Sequence, residues 1–228
     1  MADGRRPAPE GDGRVAVLVE ATPRRCFASA LEWPGWSRPG RDEDAALAAL
    51  AASADRYAAI AAAAGHPLAI GPAGLHVVQR AEGTATTAFG APDVRAVLDA
   101  RPLDAAGAAR VVSLVTAAWA ALDAIAAAAP AELRKGPRGG GRDRDAVVAH
   151  VLAAETAYAR VIGIRLPEPA LGDPGAIAAQ RAPIAALLAE PSDGSPLAGK
   201  RWPPRYAARR IAWHVLDHAW EIEDRSEA

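Results

Sequence analysis

Two histidines lie four residues apart near the C-terminus. His214 and His218 belong to residues 211–221, a stretch whose pattern predicts a helix. Residues four apart lie on one face of a helix, with Cβ atoms about 5–6 Å apart, so two imidazoles at this spacing can share one metal ion. The chain has five histidines, and a third member of this group, His150, lies in another helical stretch. Three neutral imidazoles from two helices predict an open divalent-metal site.

Helical periodicity places all three histidines on apolar faces. At about 100° per residue, His214 and His218 share a stripe with Ile211 and Ile222, and His150 shares one with apolar neighbours in its own helix. Inward-facing histidines also occur as core residues whose ring nitrogens are hydrogen-bonded. Because an unpaired buried polar group costs about 1–3 kcal/mol, a shared metal ion would satisfy two nitrogens at once. The spacing alone leaves both interpretations open.

Two glutamates are candidates for supporting this site. Glu155 lies near the edge of the inward stripe of its helix, which suits a carboxylate that orients a ligand imidazole. Glu221 lies on the same side of its helix as the histidine pair, so it is a candidate fourth ligand or proton acceptor. Its alternative partner is Arg225, four residues later. Asp217 is expected to be exposed, because it lies about 100° from its neighbour His218.

The composition restricts the class of protein. The chain has 228 residues, 51% of them hydrophobic, and a net charge of −1. It lacks the basic patch of a nucleic-acid-binding protein, it contains no apolar run long enough for a bilayer, and its single cysteine excludes an internal disulfide. Residues 1–13 are polar and rich in Gly and Pro, which predicts a disordered lead-in. We therefore expect a soluble cytoplasmic protein that binds neither nucleic acid nor membrane.

The first half has the pattern of a small α/β domain. Short β-branched or alternating runs predict strands, and an acidic start followed by an alanine-rich run predicts a helix. The expected elements are strands over 15–20, 27–31 and 75–80, a rigid loop over 33–40, and a helix from Asp42 to about residue 64 that stops at Gly65.

This half resembles the HicB-like fold. The matching pattern is the strand pair, the motif Trp33-Pro34-Gly35-Trp36, then Gly40 and the acidic helix start at residues 42–47. The resemblance covers residues 14–82 and implies a regulatory domain that binds a partner. Antitoxins of this type continue into a DNA-binding segment, and no such segment follows in this sequence.

The second half is predicted to be helical. Residues 83–107 form a connector with a short helical piece at 94–100. Four helices joined by short to medium loops imply a bundle. They are expected over 108–129, 143–163, 173 or 174 to about 190, and 205–225. The predicted fold class is therefore α+β, with a small α/β domain followed by a mostly α four-helix bundle over 108–228.

Residues 108–225 resemble the DinB-like superfamily, a four-helix fold that also forms the N-terminal part of mycothiol-dependent maleylpyruvate isomerases. In that family one histidine comes from the second helix and an H-x-x-x-H pair comes from the fourth. Here His150 occupies the first position, and His214 and His218 occupy the other two. The resemblance implies a divalent metal ion, nickel or zinc, that is held by these three residues.

Some members of that family bind a low-molecular-weight thiol, mycothiol or bacillithiol, and use it in transfer or isomerisation. The resemblance implies the same chemistry here, with the metal holding sulfur as thiolate. Because a thiol of this kind can carry carboxylates as well as sugar hydroxyls, cations near the site would help to bind it. Arg205 and Arg209 are the candidate cofactor-binding residues, with Arg210 and Arg160 also available. The alternative is that these arginines form a solvated helix face.

The last predicted helix has a second apolar face, formed by Trp213, Leu216 and Trp220. A helix that is apolar on two sides is usually buried on both. We expect this face to pack on the N-terminal domain or to form a homodimer contact.

Three functions follow from these patterns. The first is a metal-dependent enzyme, a thiol S-transferase or isomerase with a small-molecule substrate. The second is a scaffold in which the metal joins two helices without catalysis. The third is a regulatory protein whose HicB-like half binds a partner.

Overall fold

A computed structural model describes residues 13–70, 74–136 and 140–226. Within these ranges the protein is a mixed α+β fold with one four-stranded sheet and seven α-helices. The α+β class predicted from the sequence is confirmed. The predicted disordered lead-in lies outside the described residues except for Gly13.

A mixed sheet forms the N-terminal half. Two of its pairings are antiparallel, β1 with β2 and β2 with β3, whereas β4 lies parallel to β1. The sheet order is β3-β2-β1-β4, with β1 over Val15–Ala21, β2 over Cys26–Ala30, β3 over Ser37–Gly40 and β4 over Leu75–Glu82.

Strand β3 lies in the segment that the sequence predicted to be a rigid loop. It is four residues long and occupies an edge of the sheet, where Pro39, which has no N–H to donate, is tolerated. A hydrogen bond of 2.6 Å between the hydroxyls of Ser29 and Ser37 joins it to β2. The prediction of a loop was wrong here, because a proline argues against a strand in the sequence although an edge strand tolerates it.

The helix predicted over residues 42–64 is in fact two helices. α1 (Glu43–Ala52) and α2 (Ala54–Ala63) meet at Ser53 with a bend of 51°. The Ser53 hydroxyl accepts a hydrogen bond from Trp36 Nε1, and the ring of Trp36 stacks on Tyr57 with centroids 5.2 Å apart. An alanine-rich run predicts one straight helix, whereas these tertiary contacts determine the break.

The predicted connector contains a further helix, α3 (Ala85–Phe89), and a short 3-10 helix over Val97–Ala100. Glu20 of β1 is buried beneath it. Its carboxylate accepts hydrogen bonds from the Thr87 hydroxyl at 2.6 Å and from the Asp93 N–H at 2.8 Å. These hydrogen bonds therefore hold the connector against strand β1 of the sheet.

The four helices of the C-terminal half pack on one another, and α7 contacts both α4 and α5. All four were predicted, with ends that differ by only a few residues. They are α4 (Ala105–Ala128), α5 (Arg144–Val161), α6 (Pro174–Leu188) and α7 (Pro204–Ser226).

The second apolar face of α7 lies against the N-terminal half. Trp213 meets Phe27 edge-on with ring centroids 6.0 Å apart. Leu216 approaches Gly35 so closely that an added Cβ there would lie 2.7 Å from its Cδ1. The Trp220 ring lies under the guanidinium of Arg38 at 5.2 Å. Both faces of α7 are therefore covered within one chain.

α4 is long and apolar enough to cross a bilayer by length and composition. The expectation that no run reaches this threshold is therefore wrong by that measure, because alanine counts as apolar. A core helix of a soluble protein passes the same test, and α4 packs against α7 and α6. One such helix is weak support for a membrane span.

Candidate metal site

The three predicted histidines meet where α5 packs on α7. His150 comes from α5, His214 and His218 come from α7, and one ring nitrogen from each lies within 4.8 Å of the others. The ring centroids of the α7 pair are 4.7 Å apart, and the His150 centroid is 5.1 and 5.0 Å from them. Because zinc–nitrogen bonds are about 2.0–2.1 Å long, a modest rotation of the side chains would bring all three onto one ion.

Burial favours the neutral form of two of these imidazoles, His150 and His214. His214 is 7% exposed, and burial lowers its pKa to about 2, with the nearby His218, His150 and Arg210 acting in the same direction. Burial also lowers the pKa of His150. A metal ion binds the neutral imidazole. Among the described residues, Nδ1 of His214 has no hydrogen-bond partner, so it is a buried nitrogen that an ion could satisfy.

Glu221 orients the third imidazole. Its Oε2 lies 2.7 Å from Nδ1 of His218, and its Oε1 accepts from Arg225 at 2.8 Å. The pairing with Arg225 that the sequence offered as the alternative is therefore present, whereas a role of Glu221 as a fourth ligand stays a prediction. The hydrogen bond to His218 is the largest cause of a lowered pKa at Glu221. With Nδ1 engaged, Nε2 of His218 is the nitrogen left for an ion.

Glu155 does not join the histidines. It lies five residues after His150, which is about 140° around the helix. Its Oε2 accepts from Arg181 of α6 at 3.3 Å, and the carboxylate is 1% exposed. Burial raises the pKa of Glu155, whereas Arg181 acts in the opposite direction. In this structure Glu155 therefore serves the contact between α5 and α6.

Comparisons with known proteins found no match. No protein-family model, curated protein or solved structure matches the chain. Functional inference therefore rests on the chemistry of this site.

The two arginines predicted to bind a cofactor have partners within the chain. Arg209 is buried and donates to both carboxylate oxygens of Asp99, at 3.1 and 2.5 Å. Arg205 donates to the backbone carbonyls of Arg101 and Pro102, at 3.4 and 3.2 Å. Both side chains thus tie the start of α7 to the connector.

Arg210 has a different environment. It is 8% exposed, and its guanidinium lies over the rings of Tyr158 at 5.4 Å and Trp213 at 4.8 Å. Among the described residues, its Nη1 has no hydrogen-bond partner. It lies four residues before His214, the same spacing that relates the histidine pair. Sequence reasoning did not select Arg210 over its neighbours, although this spacing was a usable signal.

Proposed function

We propose that the chain binds one divalent metal ion, nickel or zinc, through His150, His214 and His218 in a DinB-like four-helix bundle. The observation that carries the proposal is the convergence of three imidazoles, one of which has a buried ring nitrogen without a partner among the described residues. Imidazole donors suit zinc and nickel. Three protein ligands also leave a coordination position open, as in catalytic zinc sites.

The substrate class that we propose is a low-molecular-weight thiol, mycothiol or bacillithiol, used in transfer to an electrophile or in an isomerisation. When bound, the metal would supply Lewis acidity and would lower the pKa of a coordinated thiol. The residues of the chain prepare the site for this chemistry. Glu221 fixes the orientation of His218, and burial holds His214 in its neutral form.

Elemental analysis tests the site. The tag-free protein would be compared with a His214→Ala/His218→Ala double variant and with His76→Ala, a control that removes an exposed histidine of β4. We expect about one metal ion per chain in the wild type and the control, and none in the double variant. Circular dichroism would show that the double variant is folded. Absence of metal from the wild type, even after nickel or zinc is added, would refute the proposal.

A structural metal is the second candidate. The donors come from two helices that already pack together, and His214 is almost fully buried, so an ion would fasten α5 to α7. Cobalt substitution separates the two functions. We expect a small thiol to produce a thiolate-to-cobalt absorption band in the folded protein. A site that accepts no thiol and loses its ion only on unfolding would instead be structural.

A further inference from the structure

Arg210 is a buried cation without a counter-charge. It is 8% exposed, and no carboxylate among the described residues forms an ion pair or a hydrogen bond with it. Its packing partners are the rings of Tyr158 and Trp213. Removing a guanidinium from water without a paired anion is costly. A protein retains such a group where something else supplies the negative charge.

Two other buried arginines are paired with carboxylates of the same chain. Arg209, the adjacent residue, makes two hydrogen bonds to Asp99. Arg181 binds Asp123 at 3.0 and 2.8 Å and Glu155 at 3.3 Å. Each is neutralised by a carboxylate of the same chain. Arg210 differs from both, although it is equally buried.

Arg210 lies beside the histidine cluster. Its side chain is on the same face of α7 as His214 and one turn before it. The ring of Tyr158 contacts both residues, since its centroid lies 5.4 Å from the Arg210 guanidinium carbon and 5.7 Å from the His214 centroid. Trp213, which packs on the same guanidinium, has a buried indole N–H that also lacks an acceptor in the described part of the chain. Two buried donors without acceptors therefore lie next to the cluster.

We infer that Arg210 binds the carboxylate of a small ligand whose other end reaches the three histidines. A guanidinium offers a planar pair of donors that matches a carboxylate, and that bond is strengthened by charge. The statement that the other end of the ligand is a metal-bound thiol rests on the proposed function. The anion subsite itself depends only on Arg210 and the rings around it.

The ligand approaches across Tyr158 and Trp202. On the side of the sheet, Arg210 and Trp213 line a cavity of about 10 Å³, which is room for one water molecule at most. On the other side, Tyr158 and Trp202 are only half-buried, and their ring centroids are 5.2 Å apart. The Tyr158 ring packs on the Arg210 guanidinium and Trp202 packs on Tyr158, so rotation of these rings would open a path to Arg210.

Calorimetric titration of the full-length protein tests the subsite. The zinc-loaded wild type, Arg210→Met and the control Arg24→Met, which removes an exposed arginine in the turn between β1 and β2, would be titrated with 3-mercaptopropionate and with its neutral amide. We expect the wild type and the control to bind the carboxylate about tenfold tighter than the amide. Arg210→Met should bind the two equally and keep its affinity for the amide. Equal binding in the wild type, or a preference that survives in Arg210→Met, would overturn the inference.

A metal-free titration separates this inference from the proposed function. If zinc does not bind at all, the metal proposal fails, and the EDTA-treated protein would be titrated with propionate and propionamide. Binding of propionate that disappears in Arg210→Met but not in Arg24→Met would still support the anion subsite. No difference between the two probes in the metal-free wild type would then overturn it.

Discussion

Two polar clusters on α7 differ in how the chain satisfies them. In the first, which we call the Arg209 pair, Asp99 accepts two hydrogen bonds from Arg209 and one from the Ala96 N–H. In the second, which we call the histidine cluster, His150, His214 and His218 meet within 4.8 Å. Within residues 13–70, 74–136 and 140–226, neither Nδ1 of His214 nor Nη1 of the neighbouring Arg210 has a hydrogen-bond partner.

The comparison separates buried polar groups whose partners lie within the chain from buried polar groups that a ligand would pair. Buried polar atoms of folded proteins are nearly always hydrogen-bonded, so each exception requires an explanation. The Arg209 pair joins the start of α7 to the connector, and its charges are neutralised without a ligand. The histidine cluster brings together donors that a metal ion and an anionic ligand would complete.

The largest expected effect is on the Arg209 pair. Asp99→Ala would leave Arg209 buried without its counter-charge, and we expect a loss of about 3–5 kcal/mol in the free energy of unfolding. Urea unfolding followed by circular dichroism measures it. Glu132→Ala, which removes an exposed carboxylate, should change stability by less than about 0.5 kcal/mol. A loss at Asp99 no larger than that of the control would show that the pair is not structural.

Acid should destabilise the metal-free protein through the histidine cluster. The pKa of His214 is lowered from 6.5 to about 2 by burial, so between these values the unfolded chain binds a proton that the folded chain does not. The stability from neutral His214 is therefore full above pH 6.5 and decreases as the pH falls. The expected loss is about 1.4 kcal/mol per pH unit for this proton, and His150 acts in the same direction.

Urea midpoints measured in EDTA between pH 7 and pH 4.5 would test this dependence. His214→Gln, which cannot titrate, should show a shallower decrease than the wild type. Equal slopes for the two proteins would mean that His214 is solvated rather than buried.

Loss of Glu221 should weaken the metal site without removing it. Its hydrogen bond orients His218, and loss of such a partner typically costs about 10–100-fold in metal affinity. Competition with a chromophoric chelator would give the affinity of Glu221→Ala for zinc. Glu223→Ala, an exposed carboxylate on the same helix, serves as the control and should bind zinc like the wild type. Unchanged affinity in Glu221→Ala would exclude an orienting role.

The smallest expected effect is on the stability of Arg210→Met. Because no carboxylate depends on Arg210, its replacement should change the free energy of unfolding by no more than about 1 kcal/mol. Arg209→Met should be far more destabilising, because it leaves Asp99 buried and unpaired. Matched urea titrations of the two variants compare adjacent and equally buried arginines. Similar losses of unfolding free energy in both variants would show that Arg210 stabilises the fold as Arg209 does, which would contradict the difference between the two clusters.

The sequence predicts features that depend on local periodicity and misses those that depend on packing. The spacing of His214 and His218 fixes their common face, and the four long helices follow from apolar stripes and caps. The break at Ser53 depends on Trp36, which is distant in sequence. The resemblances to DinB-like and HicB-like proteins stay predictions.

The candidate site shows the same limit. His150 lies on the correct stripe, but its approach to α7 results from helix packing that no local pattern specifies. Glu155 lies near the edge of that stripe, and the ion pair with Arg181 of α6 determines where its carboxylate points. Arg209 and Arg210 are adjacent in sequence and about 100° apart on the helix. Only the surrounding elements show which of them has a counter-charge.

X-ray absorption spectroscopy of the nickel- or zinc-loaded protein tests the central claim most directly. We expect three imidazole nitrogens at about 2.0–2.1 Å from the metal. Solvent oxygen should fill the remaining coordination positions, and sulfur should replace an oxygen when a thiol is added. A shell of oxygen atoms alone, without the scattering of imidazole rings, would contradict the central claim. The three histidines would then be core residues and not ligands.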